Sequence, residues 1–268
     1  MDSYAKKLDL SFALREPTMR EAIRAVQFSP GSQGLDVGCG IGNITSLLAE
    51  SISPTGHVTG VDISSEMVAY ATDAAEKAGL SEQLSYREGD MNDLPFNDNS
   101  FDWTWSVDCV GYAPVEPLPL IKEQMRVVKP GGRITFMAWS YQQLLPGYPT
   151  LEARLNATSA GIAPFTAGRS PEKHFFRALG WFRELGLEDP AAQTFVGTVH
   201  TPLSDDVREA LLSLIQMRWP GVQSVINQDD WEEFQRLCQP ESPDFILDLS
   251  GYYSFFTYSM FECKVPPH

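Results

Sequence analysis

The run Leu35-Asp36-Val37-Gly38-Cys39-Gly40-Ile41-Gly42-Asn43 joins a short apolar strand to a helix through glycines at alternate positions. Gly38, Gly40 and Gly42 allow backbone conformations and close approaches that a β-carbon would block. Ile44, Leu47 and Leu48 then mark one face of the helix that follows. A strand, a glycine turn and a helix open a βαβ unit, and the alternation continues. Strand patterns fall at 57–61, 84–88, 101–107 and 133–139, and helical patterns at 17–27, 64–78 and 118–128, the first beginning at Pro17. Residues 89–100 show only a turn-rich link. Strands alternating with helices predict an α/β protein with a largely parallel sheet.

The second half is less regular. Residues 141–170 are rich in Gly, Pro, Ser and Thr without a period, and 171–186 read as a helix with Phe175, Leu179 and Phe182 on one side. A sixth strand spans 193–200. Ser204 can cap a helix through Val207, Ala210, Leu211, Leu214 and Ile215, and a shorter helix holds Trp231, Phe234 and Leu237. The aromatic run from Gly251 to Val265 reads as a closing strand.

Charge excludes some partners. The chain has 268 residues and a formal net charge of −15. Nucleic acid and anionic membrane surfaces need clustered Lys and Arg, whereas the basic residues here are scattered. No apolar run approaches the ~20 residues that span a bilayer, and the N-terminus lacks a signal peptide's apolar segment. Cys39, Cys109, Cys238 and Cys263 offer no metal-ligand spacing and read as reduced thiols. These features predict a soluble cytoplasmic protein, without a metal, acting on a small molecule. They leave the oligomeric state open.

Twenty residues beyond Gly42 the second strand ends at Asp62, where a carboxylate can accept hydrogen bonds from the two hydroxyls of a ribose. A dinucleotide site would need G-x-G-x-x-G, with its third glycine at the position occupied by Asn43. The observed G-x-G-x-G, with Asp36 two residues upstream, favours a nucleoside without phosphates. A nicotinamide-dependent oxidoreductase is the weaker alternative.

The chain resembles the class I S-adenosyl-L-methionine (SAM)-dependent methyltransferases of the small-molecule type, similar to those of quinone biosynthesis. Five blocks in order over roughly residues 30–140 carry the resemblance: Leu35–Gly42, Gly60-Val61-Asp62-Ile63-Ser64, Glu88-Gly89-Asp90-Met91, Phe101-Asp102, and Arg126–Gly132. It implies a Rossmann-like, doubly wound, seven-stranded sheet, mostly parallel with an antiparallel last strand, plus a helical lid. It also implies that SAM is the cofactor and S-adenosyl-L-homocysteine (SAH) the product. The loop Gly38, Cys39, Gly40 and Gly42 would run along the methionine part, with Asp36 organising it. Asp62 would hold the ribose and Asp90 the adenine amine, with Met91, Ile63 and Met67 as apolar contacts. Ser106 and Val107 would face the sulfonium. Met67 equally suits a core position, whereas a loop cap is the weaker alternative for Asp62, given its spacing from the glycines.

The core on this reading is 1–140 with 171–201 and 246–268. Residues 141–170 and 202–245 leave the carboxyl edge of the sheet and form a substrate lid. Candidate bases near that edge are Asp108 and Tyr112 after the fourth strand, Tyr141 after the fifth and His200 after the sixth. The expected reaction is in-line methyl transfer to a small-molecule acceptor. A non-catalytic SAM-binding domain is a third possibility.

Overall fold

The computed structural model describes residues 3–111, 116–158 and 170–267, with the side chains of Ser3 and Tyr4 excepted. In chain order the elements are α1 (Ser3–Val26), β1 (Gln33–Val37), α2 (Asn43–Ile52), β2 (His57–Asp62), α3 (Ser65–Lys77), β3 (Leu84–Glu88) and β4 (Phe101–Val107). They continue with α4 (Pro117–Val127), β5 (Val128–Gln143), α5 (Pro149–Asn156), α6 (Ala178–Glu184), β6 (Glu188–His200), α7 (Asp205–Arg218), α8 (Gln228–Cys238) and β7 (Tyr253–Lys264).

The strands form one sheet in the order β3-β2-β1-β4-β5-β7-β6. The first five are mutually parallel, and β7 runs antiparallel to both β5 and β6. This is the expected doubly wound, seven-stranded architecture. The chain winds outward in one direction from β1 to β3 and in the other from β4 onward. The carboxyl ends of β1 and β4 therefore diverge, which is where open α/β sheets hold ligands.

Both faces of the sheet are covered. Leu35, Val37, Val61, Leu94, Phe101 and Val127 pack on one side of its first half. A larger cluster containing Trp105, Phe136, Trp139 and Tyr258 joins the helices to the rest.

Several boundaries differ from expectation. The first helix starts at Ser3 rather than Pro17 and passes through that proline. Proline removes the N–H that would reach the Ala13 carbonyl, at a cost of about 3 kcal/mol. Burial of Leu14 before it, and of Met19, Ala22, Ile23 and Val26 after it, offsets the loss. The helix expected at 171–186 is continuous only over 178–184. His174 is extended there, and its Nδ1 accepts from Phe176 N at 3.2 Å, separating two 3-10 turns. Strand β6 begins earlier than 193 because it pairs with β7 from Glu188 onward, and β5 begins earlier than 133 because Val128 pairs with Phe101 of β4. Lys129–Gly132 bulges out where Phe101 pairs with Val128 but Trp103 with Arg133. Residues 89–100 form no helix and carry only an isolated bridge between Asp90 and Asp93.

Ser204 caps α7 as expected, accepting from Val207 N at 3.4 Å. Helices α5, α7 and α8 meet one another beyond the carboxyl end of β5. Arg154 pairs with Asp230 at 2.7 Å, Trp219 Nε1 donates to Asn156 Oδ1 at 2.9 Å, and Arg218 Nε donates to Gln142 Oε1 at 3.0 Å. Among the described residues, no helix is long and apolar enough to cross a membrane.

Candidate active site

A cleft of about 390 Å³ opens at the carboxyl ends of β1, β2 and β4. The glycine loop forms its floor. Gly38, Gly40 and Gly42 all have left-handed backbones, with φ of 77°, 53° and 84°. The N–H groups of Gly38 and Cys39 donate to Val61 O at 2.8 and 3.0 Å, tying the loop to β2. A β-carbon on Gly38 would lie 2.3 Å from Cys109 Sγ, whereas one on Gly40 would meet nothing within 4 Å and enter the cleft. Gly42 stands behind the loop as the N-cap of α2, facing Tyr86.

Two carboxylates face the cleft from this floor. Asp62 accepts from Gly40 N and from Ser64 N, both at 2.9 Å, so it joins the loop to the start of α3. A carboxylate has about four lone-pair sites, and this one both caps the loop and lines the cleft. Asp36 is buried and accepts from Thr45 Oγ1 at 2.7 Å. Burial, with Asp62 nearby, pushes its carboxyl up to about 7 against the opposing Thr45 hydrogen bond.

Apolar groups close the two ends. Met67, Gly89 and Met91 line one, with Ile63 at the rim 70% exposed. Val107 and Cys109 line the other, beside Asp108. Asp108 has a left-handed backbone, φ 57°, which few non-glycine residues other than Asn and Asp adopt. Its Oδ1 accepts from Trp139 N at 2.8 Å and its Oδ2 from the Tyr258 hydroxyl at 3.4 Å. Burial pushes its carboxyl above the usual range, opposed by Trp139 N–H and the charges of Arg218 and Arg15. Burial likewise raises the thiols of Cys39 and Cys109, which suppresses the nucleophilic thiolate.

Not every candidate reaches this space. Asp90 is exposed and outside the lining. Its Oδ1 accepts from Asn92 N and Nδ2 at 2.8 and 2.7 Å, which holds it below the usual carboxylate range, while its neighbours Gly89 and Met91 do line the cleft. Ser106 is fully buried in β4, away from the lining. His200 is exposed on β6, separated from β4 by β5 and β7, and its Nδ1 lies 2.9 Å from Thr201 O. Tyr141 is 53% exposed and packs against Phe255 rather than the cleft. Tyr112 lies outside the described residues. Among the described residues, no cluster of His, Cys, Asp and Glu could hold a metal ion.

Sequence reasoning missed the roof. Leu8, Phe12 and Arg15 line the cleft from the first half of α1, and Asn43 Nδ2 donates to Asp9 Oδ1 at 3.3 Å. Among the described residues, those of 141–158 and 202–245 contribute none of the lining. Arg218 of α7 holds its guanidinium 4.1 Å from the ring centre of Trp139, whose backbone N–H donates to Asp108.

Residues 35–136 match the family model described as a methyltransferase domain. Over those residues the chain carries a methyltransferase domain. It is 33% identical over 136 residues to a demethylmenaquinone methyltransferase of Bacillus cytotoxicus, spanning 51% of this chain and 56% of that protein. It is 36% identical over 228 residues to the sterol 24-C-methyltransferase ERG6B of Gibberella zeae, spanning 81% of this chain and 58% of that protein. The chain thus spans just over half the length of these relatives. A SAM-dependent methyltransferase structure from Aquifex aeolicus has the same fold, with a TM-score of 0.55, 16% identity, and coverage of 99% of this chain and 100% of that one.

SAM, the cofactor implied by the resemblance to SAM-dependent methyltransferases, fits the residues present. The cleft volume lies in the ordinary range for small-ligand sites. The open side of Gly40 leaves room for a ligand against the backbone. The donor set suits a nucleoside bearing an ammonium group: Asp36 and Asp62 are anionic when ionised, and methionines frame one end.

Proposed function

We propose that the chain transfers the methyl group of SAM to a small, apolar acceptor by in-line displacement, with Asp108 as the acceptor-side base. The observation that carries this reading is a single cleft lined by Gly38, Gly40 and Asp62 on one wall and by a fixed carboxylate, Asp108, at the end of β4. Bound SAM supplies a methyl group already activated on a sulfonium, so the protein's task is mainly proximity and orientation. Asp62 orients the ribose, Asp36 faces the ammonium, and Val107 and Cys109 present an apolar wall that keeps water from the reacting end. Asp108, aimed by Trp139 N–H and the Tyr258 hydroxyl, takes the proton that the acceptor loses.

The relatives' names give demethylmenaquinone and sterol as acceptors, which supports an apolar small molecule here. The reading includes 141–170 and 202–245 as the acceptor lid over the core, supported by the reach of Arg218 toward Trp139 and Asp108. It also includes a cytoplasmic location without nucleic-acid partners, supported by four free cysteines and the net charge of −15.

Calorimetry with SAH and with NAD tests the cofactor. SAH binds, and tight NAD binding with no response to SAH would overturn the reading. Asp62→Ala weakens SAH by about 1–3 kcal/mol, the cost of losing hydrogen bonds to a buried polar partner. Unchanged affinity contradicts the ribose assignment.

Asp36 adds a pH dependence. Its pKa in the folded protein is raised to about 7, so the carboxyl is increasingly neutral below that pH and ionised above it. An ammonium binds the ionised form, so SAH affinity rises with pH through 7 and is about tenfold below its plateau at pH 6. Titrations from pH 5.5 to 8.5 read this directly. Asp36→Asn flattens the profile, and a wild-type profile that is already flat contradicts the assignment.

A further inference from the structure

The cleft is strongly biased in charge. Asp36, Asp62 and Asp108 face it, and among the described residues that line it Arg15 is the only cation. Arg15 comes from the first half of α1, one turn beyond Phe12, and its Nη2 donates to Leu8 O at 3.2 Å. That bond turns the guanidinium back along the roof of the cleft. Asp108 and Tyr258 both lie within electrostatic reach of Arg15, and both are also within reach of Arg218. Arg15 thus brings a positive charge to a cleft otherwise lined by carboxylates, in a protein whose net charge of −15 repels anions.

We propose that Arg15 is the anion-receiving residue of the cleft and that it takes a carboxylate. A guanidinium fork matches a carboxylate bidentately and loses little by partial burial compared with an ammonium. The inference rests on the SAM reading. Two sources can supply the carboxylate: the amino-acid part of the cofactor or the acceptor. An amino-acid group entering a partly dry cleft needs partners for both of its charges. Asp36 serves the positive one, and Arg15 is the lining residue suited to the negative one.

The test compares wild type with Arg15→Gln and Arg15→Lys by calorimetry, using SAH and the analogue of SAH that lacks its carboxylate. Wild-type SAH binding is measured first, because its absence would refute the SAM reading itself rather than the role of Arg15. If the carboxylate is the cofactor's, Arg15→Gln weakens SAH by about 10–100-fold, leaves the analogue within about twofold, and Arg15→Lys recovers part of the loss. If it is the acceptor's, all three proteins bind SAH alike. Octanoate or 4-hydroxybenzoate titrated into the SAH complex then binds wild type and loses at least about tenfold in Arg15→Gln. Equal binding of every ligand by wild type and Arg15→Gln overturns the proposal. Circular dichroism and thermal unfolding separate either result from loss of α1.

Discussion

Gly40→Val lowers SAH affinity by at least about 100-fold, close to 3 kcal/mol, while the protein still folds. Two causes act together. The backbone at Gly40 has φ 53°, a region where a β-branched residue is a true outlier, so the loop is strained by about 1–3 kcal/mol. A β-carbon at this position also meets nothing within 4 Å, so the side chain it carries projects into the cleft that the ligand fills. The strain raises the free energy of the folded state, and the steric block acts on binding. Thermal unfolding measures the first and calorimetry the second. Gly40→Ala shows a smaller loss of affinity because it adds less volume. A valine variant that binds SAH like wild type would remove Gly40 from the cofactor wall.

Asp108→Asn lowers kcat by about 10²–10⁴, the usual contribution of a positioned general base, and leaves SAH affinity within about threefold. Asparagine tolerates the left-handed backbone at this position. Its amide oxygen still accepts from Trp139 N, so the loop after β4 keeps its shape. What it loses is the ability to take a proton. The assay requires an acceptor, found by incubating the protein and SAM with metabolite extracts and following SAH. Full activity in the asparagine variant would show that the acceptor needs no base, or that the base lies elsewhere.

The parts of the site that local chemistry dictates are legible in the sequence alone. The glycine spacing around Gly40 and the acid at Asp62 fix a turn and a strand end within one βαβ unit, and the boundaries of β3 and β4 coincide with their alternating patterns. Asp108 belongs to the same class, being the first residue beyond a strand that must end at the cleft edge. The positions implied by family resemblance divide. Met91 and Val107 line the cleft, whereas Asp90 turns its carboxylate to Asn92 and Ser106 points into the interior. Adjacent strand residues face opposite sides of a sheet, so Val107 and Ser106 cannot both face the same space.

Other features depend on partners distant in sequence. His200 ends a strand at the carboxyl edge, as expected, but the order β4-β5-β7-β6 places that strand far from the glycine loop. Strand order is not encoded in any local pattern. The first half of α1 is hidden because Pro17 signals a helix start, and a proline is tolerated inside a helix only where tertiary packing offsets the missing hydrogen bond. Burial of Leu14 and Ala5 supplies such packing, and the helix contacts α7, α2 and β6.

The αβ alternation, the glycine floor of the cleft and the acid at the end of β2 follow from the chain's local residue order, because turns and strand ends obey short-range steric rules. The roof of the cleft is set by long-range packing. Leu8, Phe12 and Arg15 reach it from positions at least 20 residues before Gly38, and their place there comes from burying α1 against elements as remote as β6 and α7. Hydrophobic burial is non-directional and indifferent to sequence distance, so no local pattern could have announced it.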